Sequence, residues 1–179
     1  MGKQDAERFI FIDESGVHLG MHRAYGRIEG GQRIKWAVPY PRKKRYSVIS
    51  AIGLDEIKTS LYGDWSTDGA IFLTFIRDCL CPKLVRGDTV LMDNVAFHKS
   101  KQVRTLIEKT GAHLLFLPPY SPDFSPIEMM WSKIKSVLKK QMPRTEREFR
   151  KSIKKAFLEV TQNDLFAWFK HCGYKVSTI

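Results

Sequence analysis

The stretch LPPYSPDFSPIEMMWSKIK, Leu117 to Lys135, decides how this chain is read. Taken locally, Ser125-Pro126-Ile127-Glu128 is a capping box: the Ser hydroxyl takes an orphan N–H, Pro occupies the first helical turn and Glu reaches back to the cap. In the helix that follows, Ile127, Trp131, Ile134 and Leu138 recur at i, i+4, i+7 and i+11 and form a buried stripe. Glu128, Ser132, Lys135 and Lys139 repeat that spacing one residue on, so Glu128 stands beside the core-facing stripe with two lysines below it. At ~1.5 Å per residue, Lys135 lies roughly 10 Å from Glu128 along the axis. That reach suits a carboxylate on a metal at a scissile phosphate and a lysine on a neighbouring phosphate. Glu128 is therefore either a cap or a metal ligand, and the rest of the chain must discriminate.

Upstream, RFIFID (Arg8 to Asp13) reads as a strand ending in a carboxylate, and DTVLMDN (Asp88 to Asn94) as a second. Residues 15–45 form a long Gly-, Arg- and Lys-rich excursion. YSVISAIG and IKTSLYG, split by an Asp-Glu turn, suggest an antiparallel hairpin. TDGAIFLTFIRDCLCPKL predicts a helix capped at Thr67 or Asp68 and ending near Pro82. SKQVRTLIEKTG is a helix stopped by Gly, and AHLLFLP a strand stopped by Pro-Pro. Helices over about 145–160, with a stripe at Phe149, Ile153, Phe157 and Val160, and over 164–171 complete the order. Strands followed by alternating helices imply an α/β fold, a mixed sheet with helices on both faces.

In open α/β sheets, sites form at the carboxyl ends of strands, which privileges Asp13 and Asp93 over the other acids. Either alone is a common turn residue; with Glu128 they make a constellation. A phosphodiester is anionic, and two divalent ions roughly 4 Å apart, held by carboxylates, can activate the attacking oxygen and stabilise the leaving one. Oxygen ligands favour magnesium or manganese over zinc. Glu14 beside Asp13 raises the thought of paired acids for glycoside hydrolysis, but adjacent strand residues point to opposite faces.

Composition agrees with an anionic substrate. The 179 residues carry 30 Lys+Arg against 19 Asp+Glu, a formal charge of +11, which points to nucleic acid. Ten basic residues and two acids fall between Lys133 and Lys155, and a second cluster, RKKR, comprises Arg42, Lys43, Lys44 and Arg45. Three cysteines match no zinc spacing and exclude a disulfide framework. No apolar run approaches the ~18 residues of a membrane span.

With FIDESG, LMDNVAFH and LPPYSPDFSPIEMMWSKIK in this order, residues 9 to about 140 resemble the catalytic domain of DDE transposases of the Tc/mariner superfamily, most of all the bacterial insertion-sequence family numbered 630. Thirty-four residues separate Asp93 from Glu128, the spacing expected of that superfamily's second and third acids. The resemblance implies a ribonuclease-H-like fold, Asp13, Asp93 and Glu128 as a catalytic metal-binding triad for two Mg²⁺ or Mn²⁺ ions, and cleavage and strand transfer of double-stranded DNA at transposon ends and target. It also implies that Asn94 and His98, which match the motif after the second acid, shape the site or touch DNA, with Ser125 and Pro126 shaping the helix start; helix spacing and charge point to Lys135, Lys139 and Arg42, Lys43, Lys44 and Arg45 as DNA contacts. YGRIEGGQR (Tyr25 to Arg33) is similar to the family's R-x-x-x-G-Q stretch. Ser125 stands where the family usually has Asn, and both cap helices well.

Family members carry an N-terminal helix-turn-helix module, whereas eight residues precede the first strand here. The expectation is a single catalytic domain over 1–179, acting as a homodimer on DNA with a separately encoded helix-turn-helix partner, in the bacterial cytoplasm at the nucleoid. A partial transposase acting only as a DNA-binding subunit, and a ribonuclease-H-like nuclease, are the alternatives.

Overall fold

The computed structural model describes residues 6–23, 44–118 and 122–176. Five strands form one sheet in the order β3-β2-β1-β4-β5, with β1 at Phe9–His18, β2 at Arg45–Ile52, β3 at Ile57–Gly63, β4 at Thr89–Met92 and β5 at His113–Phe116. β2 runs antiparallel to both β1 and β3, whereas β4 is parallel to β1 and β5 parallel to β4. The sheet is mixed, as the element order implies. β1 differs from its expected extent: it does not stop at Asp13 but continues to His18, because β2 supplies a ladder partner as far as Arg45. Asp13 is thus inside a strand on its β2 side and beyond the last pair on its β4 side, where the ladder stops at Phe11 and Leu91.

Alternation along β1 builds two cores. Phe9 and Phe11 point to a layer made by α3 (Pro126–Gln141), α4 (Glu146–Leu158) and α5 (Gln162–His171). Ile10 and Ile12 point to the other layer, where α1 (Gly69–Thr74) and α2 (Lys101–Lys109) lie. Helices therefore cover both faces, which is why β1 and β4 read as near-continuous apolar runs. In the first layer Phe11 packs edge-on against Phe169 at 5.3 Å, and Tyr46 stacks on Phe149 at 4.1 Å.

The helix expected from Thr67 to Pro82 is present in three pieces. Asp68 caps it, accepting from the Ala70 and Ile71 amides. α1 then widens into a π-helical segment at Phe75–Leu80 and tightens to a 3₁₀ turn over Cys81–Lys83. α2 is capped by Ser100, and α4 and α5 by capping boxes, Thr145 with Glu148 and Thr161 with Asp164. α3 ends at Met142, which takes a left-handed conformation at φ 48° without being glycine. Among the described residues no helix is long and apolar enough to cross a membrane.

Phe11 has no solvent exposure, so Phe11→Ala should cost about 3–5 kcal/mol through lost transfer energy and a residual cavity. Leu158→Ala, at a site 84% exposed, should change stability by less than about 0.5 kcal/mol. Urea denaturation of both variants checks the pair of values.

Candidate active site

Register places the first two acids. Phe9 pairs with Thr89, Ile10 with Val90 and Phe11 with Leu91, and continuing by two residues brings Asp13 level with Asp93. Residues level across parallel strands share a face, and this face is the one α3 covers. α3 starts after a 3₁₀ turn at Pro122–Phe124 and lies along the sheet with Ile127, Trp131, Ile134 and Leu138 buried, as the stripe predicts.

At the start of that helix the structure corrects the local reading. Ser125 occupies the cap position, but its hydroxyl makes no capping hydrogen bond; the backbone carbonyl of Ser125 accepts from the Glu128 amide at 3.1 Å instead. Glu128 is exposed, and its carboxylate is close enough to Asp13 to raise that acid's proton affinity. The Asn94 side-chain amide donates to the Leu117 carbonyl, tying the end of β4 to the end of β5 where the route to α3 begins. Tyr174, beyond α5, donates its hydroxyl to the Phe124 carbonyl at 2.7 Å, holding the same approach from the other side.

Asp13 is the most perturbed acid here. Burial, then the Glu128 charge, then that of Glu14, push its pKa up to about 7, against smaller lowering effects from the Glu14 backbone and the Trp131 indole. Trp131 Nε1 donates to Asp13 Oδ2 at 2.9 Å. Trp131 was read only as a core residue; its place one turn after Glu128 is the signal that it shares Glu128's neighbourhood.

Asp93 has the opposite electrostatics. A 2.6 Å bond from His98 Nδ1 to its Oδ1, with the Val95 amide at 3.1 Å on the same oxygen, holds its carboxyl below the usual range despite partial burial. His98 has no solvent exposure, so of the two roles expected from its motif, shaping the site and touching DNA, its burial fits the first. Its Nε2 bonds Glu14 Oε1 at 3.0 Å, and its ring lies against Phe72 and Phe97. Burial favours the neutral ring, but Asp93 and Glu14 together outweigh it and bring His98 to about 9. Glu14 thus faces the α1 and α2 layer while Asp13 faces α3, the opposite faces expected of adjacent strand residues.

Of the basic residues expected on DNA, Lys135 and Lys139 lie on α3, half-buried and exposed. The Lys44 ammonium is paired with Glu146 and, at 3.3 Å, with Asp64, so its charge is already answered within the chain. Arg45 is exposed at the start of β2; Arg42 and Lys43, with Tyr25 to Arg33, lie outside the described residues.

Among the described residues, no three His, Cys, Asp or Glu side chains converge closely enough to enclose a metal ion. The donor set nonetheless fits a hard cation. Asp13 is an oxygen donor crowded by two further carboxylates, and the groups acting on it include no cation, a grouping that a divalent ion would neutralise.

A mixed sheet of this order, with helices on both faces, one acid within β1 just past its last pair with β4 and another just after β4, is the ribonuclease-H-like arrangement. Residues 8–150 match the family described as DDE superfamily endonuclease, and the chain belongs to it. It is similar to the Tc1 transposase of Caenorhabditis elegans, 36% identical over 64 residues, which are 36% of this chain and 23% of that protein. The fold matches the Mos1 transposase in its paired-end complex with the left transposon end: TM-score 0.77 and 16% identity, over 93% of this chain and 52% of that one. The catalytic domain of Mos1 mariner transposase matches with TM-score 0.67 and 13% identity, over 93% of this chain and 78% of the domain. The chain spans about half the length of the Mos1 transposase in that complex and under a quarter of Tc1. The resemblance to Tc/mariner catalytic domains is borne out.

Because Asp13 is held near 7 in the fold and at 3.8 when unperturbed, the folded state binds a proton that the unfolded chain has released between those values. Its contribution to stability is full below about pH 4 and is lost as pH rises through 7. Asp13→Asn should remove that dependence and, with chelator present, make the protein more stable than wild type at pH 8, as thermal unfolding across pH would show.

Proposed function

We propose that the chain is the catalytic domain of a transposase from a bacterial insertion sequence of the 630 family, performing divalent-metal-dependent DNA cleavage and strand transfer. The observation that carries this reading is the approach of Glu128 on α3 to buried Asp13 on β1: burial, then the Glu128 charge, then that of Glu14, raise the Asp13 pKa to about 7, in a protein of net charge +11. Asp13, Asp93 and Glu128 would hold the metal, Mg²⁺ or Mn²⁺, as two ions. Mos1 structures were solved with Mn and with Mg, which supports the same choice here. Bound there, the metal would lower the pKa of the attacking water or hydroxyl and offset charge on the leaving oxygen.

The chain's own residues do the rest. The carboxylates would hold the metal rather than touch the anionic phosphodiester, and Asp93 and Glu128 are exposed on the side a duplex would approach. Water attacks phosphorus and the 3′ oxygen departs with a proton; that freed 3′-OH then attacks a target phosphodiester, releasing another 3′-OH. Lys135 and Lys139 on α3, Arg42, Lys43 and Arg45 near β2, and the exposed Arg147, Arg150, Lys151, Lys154 and Lys155 of α4 would neutralise backbone phosphates. Asn94, Ser125 and Pro126 set the approach to α3. The domain would act as a dimer on transposon ends, with end recognition from a helix-turn-helix module encoded separately, at the bacterial nucleoid.

Asp93→Ala and Glu128→Ala should each lower Mg²⁺-dependent nicking by about a thousandfold, the equivalent of losing roughly 4 kcal/mol of charge stabilisation, while DNA binding in chelator persists. A Glu128→Ala protein that cleaves like wild type sinks the assignment. Lys139→Ala should weaken binding of all duplex sequences alike and reduce the salt slope by about one, as fluorescence anisotropy at several salt concentrations would report.

A further inference from the structure

The ladder between β1 and β4 consists of three pairs and ends at Phe11 and Leu91, yet the acids that must work together, Asp13 and Asp93, both lie beyond it. No backbone pairing fixes their separation. What spans the gap is the His98 imidazole: Nε2 bonds Glu14 on β1 at 3.0 Å, and Nδ1 bonds Asp93 after β4 at 2.6 Å. Phe72 lies 4.3 Å and Phe97 4.6 Å from the ring, centroid to centroid, so the ring is fixed by packing as well as by its bonds.

A histidine kept only for packing needs its two nitrogens satisfied by any nearby groups. Here both partners are carboxylates, and they come from the two strands whose separation matters. On Asp93 the imidazole and the Val95 amide both use Oδ1; among the described residues Oδ2 carries no hydrogen bond, and the side chain is 51% exposed. One oxygen is thus tethered and the other presented.

We propose that Glu14 and His98 are a positioning pair for Asp93, a strut that spans the gap past the ladder, fixes Asp93 through Oδ1 and leaves Oδ2 free as the oxygen that would hold the metal. The inference rests on Asp93 being a metal ligand. Partners hydrogen-bonded to ligating carboxylates and imidazoles commonly change metal affinity by about 10–100-fold when removed.

Binding of Mn²⁺ alone, followed by the electron paramagnetic resonance signal of the free ion, tests the pair without reference to cleavage. Glu14→Gln keeps the shape and one hydrogen bond of the side chain but loses its charge; His98→Asn shortens the strut and cuts its connection to Glu14. Each should weaken Mn²⁺ binding about tenfold or more, with a native circular dichroism spectrum and DNA affinity in chelator within about twofold of wild type. A merely structural pair would lower the melting temperature and leave Mn²⁺ affinity of the folded protein unchanged, and that result overturns the proposal. Asp93→Ala separates the two levels of inference. If it binds Mn²⁺ like wild type, the metal-ligand assignment fails and takes the strut with it. If it loses Mn²⁺ while Glu14→Gln and His98→Asn bind normally, only the strut fails.

Discussion

Three backbone pairs between β1 and β4, Phe9 with Thr89 through Phe11 with Leu91, are the constraint on which the rest depends. They are parallel, so they fix which residues stand level and which face each side chain takes. Everything chemical lies within a few residues of where those pairs stop. Burying the ladder on both faces requires a long apolar strand, and the acids stand just past where its pairs with β4 end.

α3 supplies the third acid by a different route. Its buried stripe, not its cap, determines its position: Ile127, Trp131, Ile134 and Leu138 seat it against β1, and the Trp131 indole adds a polar contact to Asp13. The same residue is core packing at one end and site chemistry at the other, as an amphipathic ring allows. Asp13, crowded by like charge, and Asp93, steadied by an imidazole, show how neighbouring environments drive two aspartates' proton affinities apart.

The parts legible in the sequence were those with strong periodicity or punctuation. The stripe of α3, the Asp-Glu turn between β2 and β3, and the Gly and Pro stops around α2 and β5 all gave elements close to those observed. That helices cover both faces of a mixed sheet also followed from the element order. What failed did so for physical reasons. The extent of β1 depended on a distant ladder partner, which no local signal announces. The Ser125 hydroxyl was overridden by the backbone geometry entering α3. Which of two roles His98 plays, shaping the site or touching DNA, stays open in the sequence because its partner Glu14 lies 84 residues away. Lys44 was counted as a free cation because the acids that answer it, Asp64 and Glu146, come from separate elements.

Asp13 and Glu14 are neighbours in sequence but serve opposite layers, one meeting α3 and the other reaching His98 beside the α1 and α2 layer. The strand therefore works as a two-sided gauge. Losing a single residue between Phe9 and Asp13 would set Glu14 against the indole and leave Ser15 facing the imidazole, and gaining one would set Asp13 against the imidazole and leave the indole without an acid. Conservative replacements along this strand can be absorbed by repacking, but a change of length cannot. In a lineage of such proteins, drift here should be confined to exchanges among apolar residues ahead of Asp13 and nearly forbidden in spacing.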